Sequence, residues 1–156
     1  MDCKYVYAGK SSPSLARFLP IKNMEQGFIN KPYGGLWTST YDQLSGLTDW
    51  QKWCKSSDYE INRYLKESSQ YLLIPSSSLD IVVIDSYNDL DKLTFRPEIY
   101  GYSSIDYAGM SQIYDAIALT SQGYFDLMTH RVIEFSSWNI PCTLWLKYKF
   151  KSVIKL

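Results

Sequence analysis

The sequence has a single histidine, His130, only three cysteines and no net charge. One imidazole rules out a multi-histidine metal centre, and Cys3, Cys54 and Cys142 are too few and too widely spaced for a disulfide scaffold or a paired-thiolate zinc site. No metal is expected, and the cysteines read as reduced thiols. A Ser-His-Asp or Cys-His triad would have to use His130, in Met128-Thr129-His130-Arg131, and no nucleophile-elbow sequence accompanies it. Lys plus Arg and Asp plus Glu both number 16, so no overall field draws the chain to phosphate backbones or anionic membranes. Nucleic acid is therefore not an expected partner. Apolar runs such as Ile81-Val82-Val83-Ile84 are far too short to span a bilayer, and Met1 to Tyr5 form no apolar leader. The expectation is a cytoplasmic protein without a membrane anchor.

What the chain does have is aromatic side chains, 16% of its 156 residues, with 14 Tyr and 5 Trp. Each can bury roughly 150–250 Å², so they can fill a core or be displayed as a partner surface. The length is that of one domain, expected over residues 1–156, since no repeat, low-complexity run or linker-like shift interrupts it. Tyr5-Val6-Tyr7-Ala8 reads as a strand stopped by Gly9, and Leu15 to Leu19 as a short helical turn ended by Pro20. Leu36 to Tyr41, rich in aromatic and β-branched residues, reads as a strand entered from Gly34-Gly35. Asp49 is placed to cap a short helix with Trp50, Trp53 and Cys54 on one inward face. Tyr71 to Ile74 and Asp80 to Asp85 are apolar runs expected as strands of a common sheet. Ser86-Tyr87-Asn88-Asp89 resembles a capping box, with Asp for the usual Glu, opening a helix through Leu93. Ser104 to Tyr114 predicts a further helix, and Ala116 to Leu119 a strand. In the C-terminal segment Leu144, Leu146, Tyr148 and Phe150 alternate with Trp145, Lys147, Lys149 and Lys151, the period of a strand with one wet face. Helices and short strands mix without a βαβ rhythm, which favours an α+β fold with antiparallel pairing.

Three segments could carry chemistry. Gly34-Gly35 lets the backbone turn tightly or approach a ligand closely, and the hydroxyls of Thr38, Ser39 and Thr40 can donate to a phosphate or ribose or satisfy neighbouring backbone. It is not a phosphate loop, because no Gly-Lys-Ser/Thr follows. Asp85, Asp89 and Asp91 form a carboxylate cluster that at a strand end and a first helical turn serves the helix dipole more simply than a metal. Lys147, Lys149, Lys151 and Lys155 form a basic strip that either guards an exposed strand edge or contacts an acidic protein or RNA.

Lys31-Pro32-Tyr33-Gly34-Gly35-Leu36-Trp37-Thr38-Ser39-Thr40 is followed in order by Trp50-Gln51-Lys52-Trp53-Cys54, Ile81 to Ser86, Tyr114 to Ile117, and Trp138-Asn139 with Trp145-Leu146. This series resembles motifs of phage and prophage proteins of the ADP-ribosyltransferase-like superfamily. The resemblance implies a split antiparallel β-sandwich with short flanking helices, holding NAD+ in a cleft. It implies a His or Arg near the end of the first strand to hold the nucleotide and a hydroxyl-bearing second motif beside the nicotinamide ribose. A late acid would stabilise the positive charge that develops as the glycosidic bond breaks. Carried onto this chain, the second motif is Thr38-Ser39-Thr40, and the candidate cofactor-binding residues are Tyr7, Gly35, Trp37, Thr38, Ser39 and Thr40. The first strand offers Val6 and Tyr7 in place of His or Arg, with Tyr7 able to stack on nicotinamide. Around the expected acid the chain reads Trp138-Asn139-Ile140-Pro141-Cys142-Thr143, without a carboxylate, which leaves Glu134 as the candidate catalytic acid.

Two functions follow from the resemblance. One is a scaffold that needs no cofactor and acts by binding and inhibiting a host protein of a bacterial defence system, CRISPR among them. The other is an active mono-ADP-ribosyltransferase or NAD+ glycohydrolase that modifies a host protein and uses Glu134 with Thr38 to Thr40. A cleft joining Glu134 to the Thr38 and Ser39 hydroxyls would favour the enzyme; one filled by Tyr7 or Trp37 would favour the binder.

Overall fold

The computed structural model describes residues 5–24, 31–57, 59–97 and 103–156; Cys3 lies outside them. Strands and helices run in the order β1 (Tyr5–Gly9), β2 (Leu36–Asp42), β3 (Leu47–Thr48), α1 (Asp49–Ser56), α2 (Tyr59–Glu67), β4 (Ser69–Pro75) and β5 (Ile81–Ile84). There follow β6 (Phe95–Pro97), β7 (Ser103–Ile105), α3 (Tyr107–Ile113), β8 (Ala116–Leu119), α4 (Ser121–Thr129), β9 (Cys142–Trp145) and β10 (Phe150–Lys155). Short 3-10 turns occupy Leu15–Arg17, Tyr87–Lys92 and Ile133–Phe135. The mixed α+β class expected from the sequence is what the chain adopts.

One large sheet organises the molecule, in the order β10-β4-β1-β2-β9-β8-β5 with β3 paired to β2, and β6 and β7 pair separately. The two apolar runs 71–74 and 81–84 do share it, as β4 and β5. Pairing is antiparallel except between β5 and β8, which run parallel with Ile81 opposite Ala116. Parallel neighbours need a long crossover, and here β6, β7 and α3 supply it. β2 is shared along its length: Leu36, Trp37 and Thr38 pair with Trp145, Leu144 and Thr143 of β9, whereas Ser39 and Thr40 pair with Val6 and Tyr5 of β1.

Strand alternation sends buried residues to opposite faces of this sheet. Ile117 and Leu144 join the larger core with Ile84, Met110, Leu127 and Phe135, which α3 and α4 cover. Ala116 and Trp145 point the other way, into a smaller core with Tyr71, Leu73 and Phe150. Trp145 there meets Tyr5 edge-on at 4.9 Å and Phe150 at 4.5 Å between ring centroids. Part of the aromatic surplus is therefore core, each such contact contributing about 0.5–1.5 kcal/mol beyond area burial.

Local chemistry explains where the elements depart from expectation. Thr48, not Asp49, caps α1: its hydroxyl accepts the Gln51 N–H at 3.1 Å, and the Gln51 side-chain carbonyl accepts the Thr48 N–H at 2.8 Å. Cys54 is fully buried, but Trp50 and Trp53 stack on each other at 5.1 Å and stay half-buried instead of entering the core. The Ser86 to Asp89 box forms as read, with Asp89 accepting the Ser86 N–H and hydroxyl, although the turn it opens is 3-10. Ser104 and Ile105 belong to β7, so the helix expected from Ser104 starts only at Tyr107, after the Asp106 carboxylate takes the Gly109 N–H at 3.0 Å.

The C-terminal alternation does not make one strand. β9 ends at Trp145 because the buried Asp115 draws the chain aside: its carbonyl accepts the Leu146 and Lys147 N–H groups, and its carboxylate meets Lys147 and Lys149 at 3.3 and 3.4 Å. Burial opposes ionisation of Asp115, but the Asp80 N–H and the two ammonium groups outweigh it and hold the carboxyl below its usual range. Lys151 and Lys155 lie exposed on β10, the sheet's outer strand, where they discourage edge-to-edge pairing.

Candidate functional site

Gly34 and Gly35 both adopt left-handed backbone, φ 79° and 70°. The close approach they allow is to the chain itself: a Cβ on Gly34 would fall 2.3 Å from the Pro20 carbonyl oxygen, and the Gly35 N–H donates to the Leu19 carbonyl at 2.9 Å. This turn delivers β2 into the sheet beside a cleft of about 370 Å³ lined from β1, β2, α1, α2 and the segment before β9.

Five of the expected residues, Tyr7, Gly35, Trp37, Thr38 and Ser39, line that one cleft. Thr40 does not; it is exposed and pairs with Tyr5. Glu134 is also elsewhere, its carboxylate accepting the Ser103 hydroxyl in a second cavity. Thr38 is committed to structure: its buried hydroxyl donates to the Thr143 carbonyl at 3.4 Å and accepts from the Trp145 indole at 3.0 Å.

The walls of the cleft are aromatic. Trp37 packs edge-on against Trp138 at 4.8 Å, and the Lys31 ammonium sits 5.4 Å from the centre of the Trp37 ring, within cation–π range. Trp138 is held from behind by its indole N–H, which donates to the Tyr107 hydroxyl at 3.2 Å. Burial pushes the Tyr7 phenol above its ordinary value, with Tyr64 and Tyr71 adding to the shift. Burial likewise pushes the Cys142 thiol up to about 12, so this sulfur is a protonated apolar group at neutral pH and not a nucleophile. No described residue lining the cleft carries a carboxylate. Among its described lining residues the cleft can stack a planar group, offer one cation and donate from Ser39, and it has neither a carboxylate nor an imidazole.

The second cavity, about 530 Å³, lies between the Tyr87–Lys92 turn, β6, β7 and the end of α4. His130 stacks on Tyr87 at 4.6 Å between centroids, while its Nδ1 meets the Asp126 carbonyl oxygen at 2.9 Å. Arg131 has φ 53°, the only positive φ of a non-glycine among the described residues. The cause is the helix end: the Arg131 N–H bonds the Met128 carbonyl and the Val132 N–H reaches back to Leu127, a Schellman closure whose left-handed position usually holds glycine.

Among the described residues no helix is long and apolar enough to cross a membrane, and no group of three His, Cys, Asp or Glu is gathered as for a metal. Comparison with protein families, with characterised proteins and with solved structures finds no match for this chain.

Trp138, Asn139 and Cys142, from the segment where the resemblance put an acid, line the first cleft and bring no carboxylate to it. Tyr64 was not singled out. Its only signal is position, since one turn of α2 sets it beside the aromatic wall while leaving it 42% exposed.

Proposed function

We propose that the chain is a binding module on an ADP-ribosyltransferase-like scaffold, which docks a host protein of a bacterial defence system through the aromatic cleft and blocks it, the kind of partner the sequence resemblance implies. The observation that carries this reading is the cleft's make-up: Trp37, Trp138 and Tyr7 on its walls, the Thr38 hydroxyl already spent within the sheet, and no carboxylate among the described residues lining it. Tyr and Trp anchors of this kind dominate binding energy at protein interfaces. The sharing of β2 between β1 and β9 supports the split-sheet part of the reading, while the parallel β5–β8 pair departs from it.

The test is incubation with labelled NAD+ and host lysate beside a tagged capture. The expected outcome is no label transfer and no nicotinamide release, with a captured protein that Trp37→Ala fails to retain. Label transfer that disappears in Glu134→Gln would overturn the reading in favour of an ADP-ribosyltransferase.

One observation favours a second reading, NAD+ held without turnover: five residues named as candidate cofactor-binding residues converge on one cleft. There Tyr7 and Trp37 offer faces to a planar ring, Ser39 a hydroxyl, and Lys31 a charge for phosphate. Bound NAD+ would supply a cleavable glycosidic bond, but the side chains around it would only orient it. Saturable quenching of tryptophan emission by NAD+, lost in Trp37→Phe, is the expected sign; unsaturable quenching would dismiss it.

A further inference from the structure

The cavity beside α4 has a composition the first cleft lacks, since it sets charges of both signs around an apolar floor. Leu90, Leu93, Phe95 and Val132 line it, with the stacked Tyr87–His130 pair as one wall. Arg131 lines it too, and its guanidinium has no hydrogen bond or ion pair among the described residues. Glu134 and Asp91 contribute carboxylates; Glu134 is oriented by the Ser103 hydroxyl, and Asp91 has no partner among the described residues.

Two independent features make this arrangement more than a surface dent. Arg131 keeps its side chain in a left-handed position where glycine would be free of strain, and that side chain stands at the cavity rim. The flanking carboxylates then leave a cation and two anions facing one space without neutralising one another through a shared ion pair. A planar guanidinium binds a carboxylate through two parallel hydrogen bonds, and carboxylates accept an ammonium group. The apolar floor takes a hydrocarbon or aromatic group.

We infer that this cavity binds a small zwitterion of the large apolar amino-acid class, with its carboxylate on Arg131, its ammonium toward Glu134 and Asp91, and its side chain on the Leu90–Leu93–Phe95 floor. The site is separate from the aromatic cleft and does not depend on what that cleft binds. His130, its Nδ1 engaged by the Asp126 carbonyl, serves as an aromatic wall.

The experiment is titration of the whole chain with L-leucine, L-methionine and L-phenylalanine, followed by calorimetry and by shifts of backbone amide resonances. Saturable binding of at least one is expected, with shifts at Tyr87, Phe95 and Val132. N-acetyl-L-phenylalanine, which lacks the ammonium, and phenethylamine, which lacks the carboxylate, should each bind at least tenfold more weakly than L-phenylalanine. Arg131→Gly, which relieves the backbone and keeps the fold, should lose at least tenfold in affinity, and Glu134→Gln a similar amount. Absence of saturable binding by all three amino acids, affinity unchanged in Arg131→Gly, or equal binding of either analogue would overturn the assignment.

Discussion

Replacing Arg131 separates what its backbone costs from what its side chain does. An L-residue in the left-handed region costs about 1–2 kcal/mol. Glycine escapes that penalty but gives back about 0.4–1 kcal/mol, because its unfolded chain is freer. Arg131→Gly should therefore be more stable than Arg131→Ala by about 0.8 kcal/mol at the middle of these ranges, since alanine keeps the Cβ that strains the position at φ 53°. For a chain of 156 residues that is a difference in Tm of about 1–4 °C. The wild type should melt near or above the alanine variant, because a cation at the C-terminus of α4 contributes about 0.3–1 kcal/mol with the helix dipole. Thermal melts followed by circular dichroism at low ionic strength read all three proteins under one condition. An alanine variant as stable as the glycine variant would refute the claim that the Schellman position is strained, and with it one of the two supports for a ligand site there.

Other expectations follow from single contacts. Thr38→Val should cost about 1–3 kcal/mol in chemical denaturation, since the Trp145 indole N–H would be buried without its acceptor; an unchanged midpoint would mean that this hydroxyl is not engaged. Asp115→Ala should cost about 2 kcal/mol by releasing the Asp80 N–H and both lysines, and should loosen the 146–149 turn, which amide exchange there would report. Lys92, with the Asp85 N–H next, holds the Asp89 carboxyl down at about 2, against an unfolded value of about 4. The stability this lends is complete above pH 4 and vanishes as pH falls toward 2, so Asp89→Asn should flatten the acid limb of a stability–pH curve in that window and leave its alkaline limb alone. Gly34→Ala should be among the most damaging single changes, because both its φ and the Pro20 carbonyl reject a Cβ; a loss under about 1 kcal/mol in urea would contradict this.

The strands were legible where composition and turn signals agreed: β1, β2, β4, β5 and β8 fall where the apolar and aromatic runs put them. The Ser86–Asp89 box was legible too, because capping is decided within four residues. What escaped was decided from far away in the sequence. The alternation at 144–151 is real as a pattern, but Asp115, some thirty residues earlier, bends it into a strand, a turn and a second strand. Trp50 and Trp53 have the spacing of a buried face and are left half-exposed, because they stack on each other beside the cleft. For the site, the second motif and the stretch around Trp138 are local sequence features, and the fold sets both on one cleft. Glu134 could not be placed this way, because its cavity depends on how a 3-10 turn meets β7.

The division of β2 between two partners has a consequence for how the cleft keeps its shape. A strand paired on one side can slip by a residue and turn its side chains over. β2 cannot slip against β9 without also breaking its phase with β1, because Thr38 and Ser39 answer to different neighbours. The two registers act as a vernier, each correcting the other. Trp37, Ser39 and Tyr7 are thus held in mutual position by the counting of hydrogen bonds along the sheet, whichever way the segments that close the rest of the cleft are arranged.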